Sequence, residues 1–208
     1  MKSIEDSDLH RLFSGFTFHP VIHLPEKYEI FDFTRSYDPK RMLAFDYGIG
    51  RYDERRAGMY TTELFTGDAG NIRDVHMGID IGAPVGTPVH AFEAGKVFCA
   101  GINPGAGDYG GTLITEHDLP GLRFWVLHGH LSHVSVQGKQ AGDSFKKGDL
   151  IAWVGNSDEN GGWNPHLHFQ LSLVEPVVCD MPGAVSVSDR KKGLETYPDP
   201  RLVLGKLY

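Results

Sequence analysis

The sequence has few of the features that mark nucleic-acid-binding or membrane proteins. Its 208 residues carry a formal net charge of −7, and no basic run is longer than Arg190-Lys191-Lys192. Because phosphate binding depends on clustered Lys and Arg, we expect no nucleic-acid partner. No stretch approaches the roughly 18 apolar residues of a membrane-crossing helix, so we expect no transmembrane segment.

Export signals and a disulfide scaffold are also missing from the printed sequence. Its beginning, from Met1 to Asp8, is acidic and contains no apolar stretch of the kind that directs secretion. We therefore expect a cytoplasmic protein, or a periplasmic or secreted one if a leader has been removed. Cys99 and Cys179 are the only cysteines. They lie far apart in a sequence unlike that of a disulfide-rich domain, so we expect free thiols.

Glycine and proline are abundant, with 26 and 12 residues respectively. This composition predicts many turns and favours short strands over long helices. From Arg73 onward, short apolar stretches alternate with Gly/Pro turns. The remainder after Glu175 contains four prolines and little periodicity. We predict a mainly β core with few short helices, followed by an extended tail packed on the body.

The N-terminal third gives weaker local patterns. Residues 9–18 predict a short helical turn, and residues 24–33 alternate in part like a strand. Asp38 and Pro39 resemble the N-cap and first residue of a helix that would continue to about Phe45. The charged run from Tyr52 to Arg56 is expected to be an exposed, ion-paired surface. The alternative is that it fixes the N-terminal segment against the core or lines a groove.

Two short motifs combine residues that bind metals. In the stretch from His166 to Leu171, polar and apolar residues alternate as in a strand, which places His166 and His168 on one face. In His76-x-x-x-Asp80, a neutral nitrogen ligand and a carboxylate are available to the same ion. Two His and one Asp suit zinc, and three protein ligands leave a fourth position for water. We therefore predict a catalytic zinc site.

A third motif, His128-Gly129-His130-Leu131-Ser132, completes a longer pattern. Together the three histidine motifs resemble the lysostaphin-type (LytM-like) zinc metallopeptidases, a family of peptidoglycan endopeptidases. The resemblance covers about half of the chain and includes four further parts: the run from His76 to Val89, Gly95-Lys96-Val97, the run from Lys147 to Gly155, and Pro165-His166-Leu167-His168-Phe169.

The resemblance implies a fold, a cofactor and a set of residue roles. It implies an antiparallel sheet or β-sandwich-like core whose loops wall an open groove. His76, Asp80 and His168 match the ligands of one zinc ion per chain, and His130 and His166 match two histidines that flank the zinc-bound water. One of these would accept the water's proton and the other would stabilise the oxyanion. The sequence has no His-Glu-x-x-His motif, so no glutamate base is implied.

The resemblance also suggests a division of the chain and some further candidate residues. The metallopeptidase domain would span residues 71–175, preceded by an N-terminal segment, 1–70, packed on or shielding the core, and followed by a tail, 176–208. His128 could face the site beside His130, next to the ligands or the substrate. Tyr109, Trp163 and Asn164 lie on loops expected near the groove. The remaining histidines are expected to be structural or solvent-exposed: His10, His19, His23, His90, His117 and His133.

Three functional readings follow. The leading one is a metalloendopeptidase acting on peptides of the peptidoglycan type. A second is a binding or regulatory domain of the same fold that is non-catalytic, or latent because residues 1–70 or the tail occupy the groove. A third is a cytosolic zinc hydrolase with a substrate other than cell wall, since the loop before His166 is longer and more acidic than is common in wall hydrolases.

Overall fold

The computed structural model describes residues 6–40, 44–56, 58–66 and 71–208. Within these ranges the elements are mostly short strands, as predicted. The strands are β1 Glu29–Ile30, β2 Gly48–Gly50, β3 Arg73–His76, β4 Ile79–Gly82, β5 Pro88–His90, β6 Gly95–Asn103, β7 Gly110–Leu119, β8 Leu122–Leu131, β9 Ser144–Phe145, β10 Leu150–Trp153, β11 His166–Ser172 and β12 Ala184–Ser186. The helices are α1 Asp6–Phe13, α2 His133–Val136, α3 Arg190–Thr196 and α4 Arg201–Leu204.

An eight-stranded sheet in the order β1-β2-β4-β11-β8-β7-β6-β9 forms the centre of the molecule. Strands β6, β7 and β8 form an antiparallel meander, and the turn between β7 and β8 uses Gly121 with φ of 83°. Glycine reaches this left-handed conformation without the steric cost that other residues meet. Two small sheets, β10-β5 and β12-β3, pack beside the main one. The predicted mainly β, antiparallel architecture is confirmed.

The largest core cluster lies on one face of this sheet, where alternate residues of β8 and β11 point inward. Phe124, Val126, Leu167 and Phe169 are fully buried there, together with Phe92 from the segment after β5. Burying an aliphatic or aromatic side chain of this size contributes about 1.5–3 kcal/mol. The core therefore fixes the strands whose opposite face carries the functional groups.

The N-terminal segment is part of the same sheet. Strand β2 pairs antiparallel with β4, with Gly50 opposite Asp80, and β1 pairs with β2. Helix α1 packs on the core through Leu9 and Phe13. The predicted helix from Asp38 falls partly on residues 41–43, which lie outside the described residues; Asp38 accepts a hydrogen bond from the Lys40 amide at 2.9 Å.

The tail is more regular than the sequence predicted. Strand β12 pairs with β3 through Ala184 and Val185, and two short helices follow it. Periodicity did not reveal them because α3 and α4 are only 7 and 4 residues long. A β strand of 3 residues is held by its partner rather than by its own sequence.

The expectation of free thiols is wrong, because Cys99 and Cys179 form a disulfide. The fold brings residue 179 alongside β6, so that the two Cα atoms are 5.7 Å apart across a sequence separation of 80. The Asn103 amide also donates a hydrogen bond to the Cys179 carbonyl at 3.1 Å. No local sequence pattern reports such a long-range contact. No helix among the described residues is long and apolar enough to cross a membrane.

Candidate metal centre

Three side chains from neighbouring strands converge on one point of the sheet. His76 ends β3, Asp80 lies on β4, and His168 lies on β11 directly opposite Asp80. Asp80 Oδ1 is 3.1 Å from His76 Nε2 and 2.9 Å from His168 Nδ1, and the two nitrogens are 3.1 Å apart. These are the ligands that the family resemblance implies, and the structure brings all three together.

The spacing of these three donor atoms fits a metal ion. Zinc with bonds of about 2.0–2.1 Å in tetrahedral geometry holds adjacent donor atoms roughly 3.3 Å apart. The three separations here are shorter than that by a few tenths of an ångström. In the part of the chain that the structure describes, no other His, Cys, Asp or Glu joins this group. A fourth ligand of these types from the described part of residues 1–70 is therefore not present.

Hydrogen bonds on the outer side of each ligand fix which atom faces inward. His76 donates from Nδ1 to the Arg51 carbonyl at 2.8 Å, which leaves Nε2 as the acceptor. In His168 the roles of the two ring nitrogens are reversed. Nε2 donates to the Gln170 amide oxygen at 2.9 Å, which leaves Nδ1 as the acceptor. Partners of this kind orient ligands in metal sites. Gln170 continues the alternation of His166 and His168, and that signal could have identified it from the sequence.

A buried arginine from the N-terminal segment holds the carboxylate. Arg56 donates from Nη1 to Asp80 Oδ2 at 2.6 Å, which leaves Oδ1 to face the two histidines. Its guanidinium also contacts Glu54 and Tyr60 and is 1% exposed. The expectation of an exposed ion-paired surface is wrong for Glu54 and Arg56. Residues 53–56 instead run beside β3 and direct these two charges inward. The alternative, that the charged run fixes the N-terminal segment against the core, describes Glu54 and Arg56 correctly.

The charges of the ligands are set by burial and by Arg56. Burial lowers the pKa of His76 to about 4, an effect that Arg56 strengthens and Asp80 opposes. For Asp80, burial alone would raise the pKa. His76 and the permanently charged Arg56 outweigh it and hold the pKa well below its ordinary value. The site thus presents a neutral imidazole and an ionised carboxylate, the forms that bind metal.

His130 and His166 lie beside this group. Their ring centroids are 4.2 Å apart, and His166 Nε2 is 3.7 Å from Asp80 Oδ1. Each donates from Nδ1 to a loop carbonyl, His130 to Asn160 at 3.0 Å and His166 to Asn164 at 2.6 Å. Nε2 is therefore the acceptor in both rings. Burial lowers the pKa of both groups, and in His130 the neighbouring His166 and His168 add to the effect.

A β-bulge places His130 in the site. Gly111 and Leu113 on β7 pair with Leu131 and His128 on β8, so that β8 carries one extra residue here. His130 has a φ of 61°, a conformation that non-glycine residues adopt uncommonly. The bulge turns the His130 side chain toward His166 and away from the core face.

The same bulge explains why His128 does not face the site, contrary to the expectation for it. His128 pairs with Phe169 of β11 and packs edge-on against its ring, with centroids 5.3 Å apart. It is 0% exposed, and neither ring nitrogen has a hydrogen-bond partner among the described residues. Burial, with a contribution from His117, lowers the pKa of His128 to about 3; the Leu113 and Val126 backbone groups oppose this shift but form no well-aligned hydrogen bond with the ring. His128 is thus a neutral core residue.

The loop residues singled out from the sequence occupy different places. The Tyr109 hydroxyl is 3.4 Å from His168 Nε2 and donates to the Met181 carbonyl, and burial raises the pKa of Tyr109 well above its ordinary value. Trp163 lines the cavity in front of the histidines and donates to the Gly107 carbonyl. Asn164 instead donates to the Pro39 carbonyl and borders a neighbouring cavity.

The cavity in front of the metal-binding group has walls from three parts of the chain. Tyr60 and Phe65 of the N-terminal segment form one wall, Tyr109 and Trp163 form another, and the tail contributes Met181 and its neighbours. Arg73 and Asp180 add charge at its edge. A largely apolar cavity with a few charged groups is a setting typical of ligand-binding sites.

Comparison with known proteins identifies one family. Residues 74–180 match the model for peptidase family M23. A curated relative, the glycyl-glycine endopeptidase ALE-1 of Staphylococcus capitis, is 40% identical over 97 residues, which cover 46% of this chain and 24% of that protein. The DD-carboxypeptidase/endopeptidase Mpg of Neisseria meningitidis serogroup B is 34% identical over 112 residues, or 52% of this chain and 23% of that protein.

Among solved structures, the solution structure of lysostaphin is similar to this chain. It has 26% sequence identity and a TM-score of 0.43, and the match covers 71% of this chain and 51% of that one. The chain spans only about a fifth of the length of the curated relatives that it matches. The family match begins at residue 74, so Arg51, Arg56 and Tyr60 lie outside it.

Proposed function

We propose that this chain, which belongs to peptidase family M23, is a zinc-dependent metalloendopeptidase that hydrolyses peptide bonds in peptides of the peptidoglycan type. The observation that carries the proposal is the convergence of His76, Asp80 and His168, with His130 and His166 beside them. A non-catalytic domain has no need for two further histidines aimed at its metal ligands.

The metal would be held by His76 Nε2, Asp80 Oδ1 and His168 Nδ1. Two imidazoles and one carboxylate with an open fourth position are a ligand set typical of catalytic zinc. When bound, zinc supplies a Lewis acid that polarises the scissile carbonyl and makes water a better nucleophile at neutral pH. Arg56 and Gln170 would keep the ligand atoms aligned before the ion arrives.

The proton transfers would use the Nε2 atoms of His130 and His166. Each is the unprotonated nitrogen of a neutral ring, because Nδ1 donates to a carbonyl. One can accept the proton of the attacking water and return it to the leaving amine, while the other, once protonated, donates to the oxyanion of the tetrahedral intermediate. Because Nε2 is the acceptor in both rings, either histidine can take either role.

The names of the relatives support a peptide as substrate. ALE-1 is named a glycyl-glycine endopeptidase and Mpg a DD-carboxypeptidase/endopeptidase. In this chain the apolar side chains of Tyr60, Phe65 and Trp163 would pack on the peptide, and Arg73 and Asp180 would bind its charged groups. Residues 1–70 and 176–208 would then act as walls of the groove on either side of the domain formed by residues 71–175.

The disulfide bears on where the protein works. Disulfides persist in oxidising compartments and are rare in the cytosol. Cys99–Cys179 therefore favours the periplasmic or secreted alternative over a cytoplasmic location. In such a compartment a cell-wall peptide would be directly accessible.

The experiment combines a substrate panel with metal analysis. The purified full chain is incubated with peptidoglycan, with soluble muropeptides and with pentaglycine, and products are identified by mass spectrometry. We expect cleavage of at least one, and we expect Asp80→Ala to contain one zinc fewer per chain and to cleave none. Asp118→Ala, an exposed aspartate on β7, is the control. Undiminished zinc in Asp80→Ala, or no cleavage by the zinc-loaded wild type, would overturn the proposal.

A further inference from the structure

Three histidines outside the proposed active site come together on another part of the surface. His19 and His23 belong to the N-terminal segment after α1, and His90 ends β5. Their ring centroids form a nearly equilateral triangle with sides of 5.5, 5.5 and 5.4 Å. The sequence suggested no relation between them, because the triangle depends on how the N-terminal segment packs against β5.

This triangle has the dimensions of a metal site. A tetrahedral zinc ion bound to three imidazoles at about 2.0–2.1 Å holds the ring centroids roughly 5 Å apart. From this geometry we propose that His19, His23 and His90 form a second metal site, for a divalent ion such as zinc, that ties the N-terminal segment to the peptidase domain. Imidazole donors of this kind suit Zn²⁺, Ni²⁺ and Cu²⁺.

Backbone hydrogen bonds hold two of the three residues at a fixed distance. The His19 amide donates to the Phe92 carbonyl at 2.9 Å, and the His90 amide donates to the Val21 carbonyl at 2.8 Å. Residues 19–21 therefore run along residues 90–92 like an added strand. For His19 and His90, binding would therefore need rotation of the side chains only.

The ring nitrogens are available as ligands. His19 donates from Nδ1 to the Pro20 carbonyl at 2.9 Å, which leaves Nε2 as the free donor atom, the usual arrangement of a ligating histidine. His90 Nδ1 is buried and has no hydrogen-bond partner among the described residues.

His23 is the residue that would close the site. Its side chain is exposed, and no hydrogen bond to another described residue holds its ring. In the present side-chain conformations the nitrogens of the triad do not yet converge as those of His76, Asp80 and His168 do. Rotation of His23 about its two side-chain torsions costs little at an exposed position, and it would bring a third nitrogen to the ion.

The expected consequence is a metal-dependent clamp. Residues 19–23 lie in the N-terminal segment that also supplies Arg56 and one wall of the groove. An ion bound between them and His90 would stabilise the docked position of this segment, and binding to the folded state alone raises stability by mass action.

The test separates the two metal sites by mutation. Zinc binding is measured by equilibrium dialysis on the full chain, as wild type, His23→Ala and His10→Ala, an exposed histidine outside the triad. We expect two zinc ions per chain in wild type and in His10→Ala. In His23→Ala we expect the second ion to bind at least tenfold more weakly. His90→Gln gives an independent variant at another corner of the triangle.

A second measurement distinguishes this site from the proposed active site. In an Asp80→Ala background, addition of zinc should still raise the melting temperature, and the further change His23→Ala should remove that rise. A single zinc ion in the wild type, or equal binding of the second ion by the wild type and His23→Ala, would overturn the proposal. Either result would leave the assignment of His76, Asp80 and His168 intact.

Discussion

His128 and His130 lie two residues apart on β8 and are both buried, yet their surroundings are opposite in character. His130 Nδ1 donates to a carbonyl and its other nitrogen faces His166 and Asp80, whereas both nitrogens of His128 lack a hydrogen-bond partner among the described residues. On one side of the sheet, His130 belongs to a polar network in which each ring has a defined tautomer. The other side is an apolar core in which a histidine only fills space.

The difference teaches that spacing alone does not assign a histidine to a face. A regular strand would place residues 128 and 130 on the same side. The bulge, with its positive φ at His130, separates them. Backbone strain of this kind concentrates at functional sites, where the surrounding contacts hold it in place. Three predictions test the contrast.

The largest expected effect is on turnover. Replacing His130 or His166 by Ala should lower kcat/KM by about 10²–10⁴, the usual contribution of a positioned acid or base, while zinc remains bound. Replacing His128 by Leu should leave kcat/KM near that of the wild type. Steady-state kinetics on a cleavable peptide, with zinc content measured on the same samples, gives the answer. Loss of zinc in His130→Ala would make that residue a ligand instead.

An intermediate effect is expected at Arg56, which positions Asp80 from outside the family match. Arg56→Met removes the guanidinium from the buried carboxylates of Asp80 and Glu54, although Glu54 keeps its ion pair with Arg51. Breaking a buried pair costs about 3–5 kcal/mol of stability. Loss of such an orienting partner should also weaken zinc binding by about 10–100-fold.

Competition against a zinc chelator measures this affinity, and urea unfolding measures the stability. Arg11→Met, a change at an ion pair whose two side chains are both exposed, is the matched control and should alter neither quantity appreciably. Activity of Arg56→Met that returns with excess zinc would identify Arg56 as a positioning residue. A variant with unchanged zinc affinity would show that Asp80 needs no such support.

The sequence predicted the chemistry of the site better than its surroundings. His76, Asp80, His130, His166 and His168 were identified from motifs that are local in the chain, and the structure brings them together; their individual roles remain predictions. The series of short strands after Arg73 and the strand that carries His166 and His168 followed from turn residues and apolar alternation, which are also local signals.

What the sequence did not reveal depends on long-range packing. Arg56 reaches Asp80 only because β2 adds to the sheet beside β4. From the sequence alone, the charged residues around Arg56 predict an exposed surface. The disulfide and the His19, His23 and His90 triangle likewise join segments with no common pattern. The bulge in β8 moves the His130 side chain to the other face of the sheet, and the residue types of the strand do not indicate it.

The smallest expected effect is on stability, and it concerns the core histidine. An unpartnered buried polar group costs about 1–3 kcal/mol, so His128→Leu, a change to an apolar side chain of similar size, should stabilise the protein by roughly 1 kcal/mol at pH 7. The gain should increase on acidification. With a folded-state pKa of about 3 and an ordinary value of 6.5, His128 takes up its proton first in the unfolded chain.

Wild-type stability should therefore be complete above about pH 6.5 and fall as the pH drops toward 3, because the unfolded state binds more protons there. His117, whose pKa burial lowers to about 4, adds to the same decline. His128→Leu removes one such contribution, so its advantage should grow by up to about 1.4 kcal/mol per pH unit below 6.5. Urea unfolding at pH 7, 6 and 5, with His10→Gln as the exposed control, measures it. A stability difference between His128→Leu and the wild type that stays constant across this range would mean that His128 has a partner and protonates in the folded protein. His128 would then resemble His130, and the contrast between the two faces of the sheet would not hold.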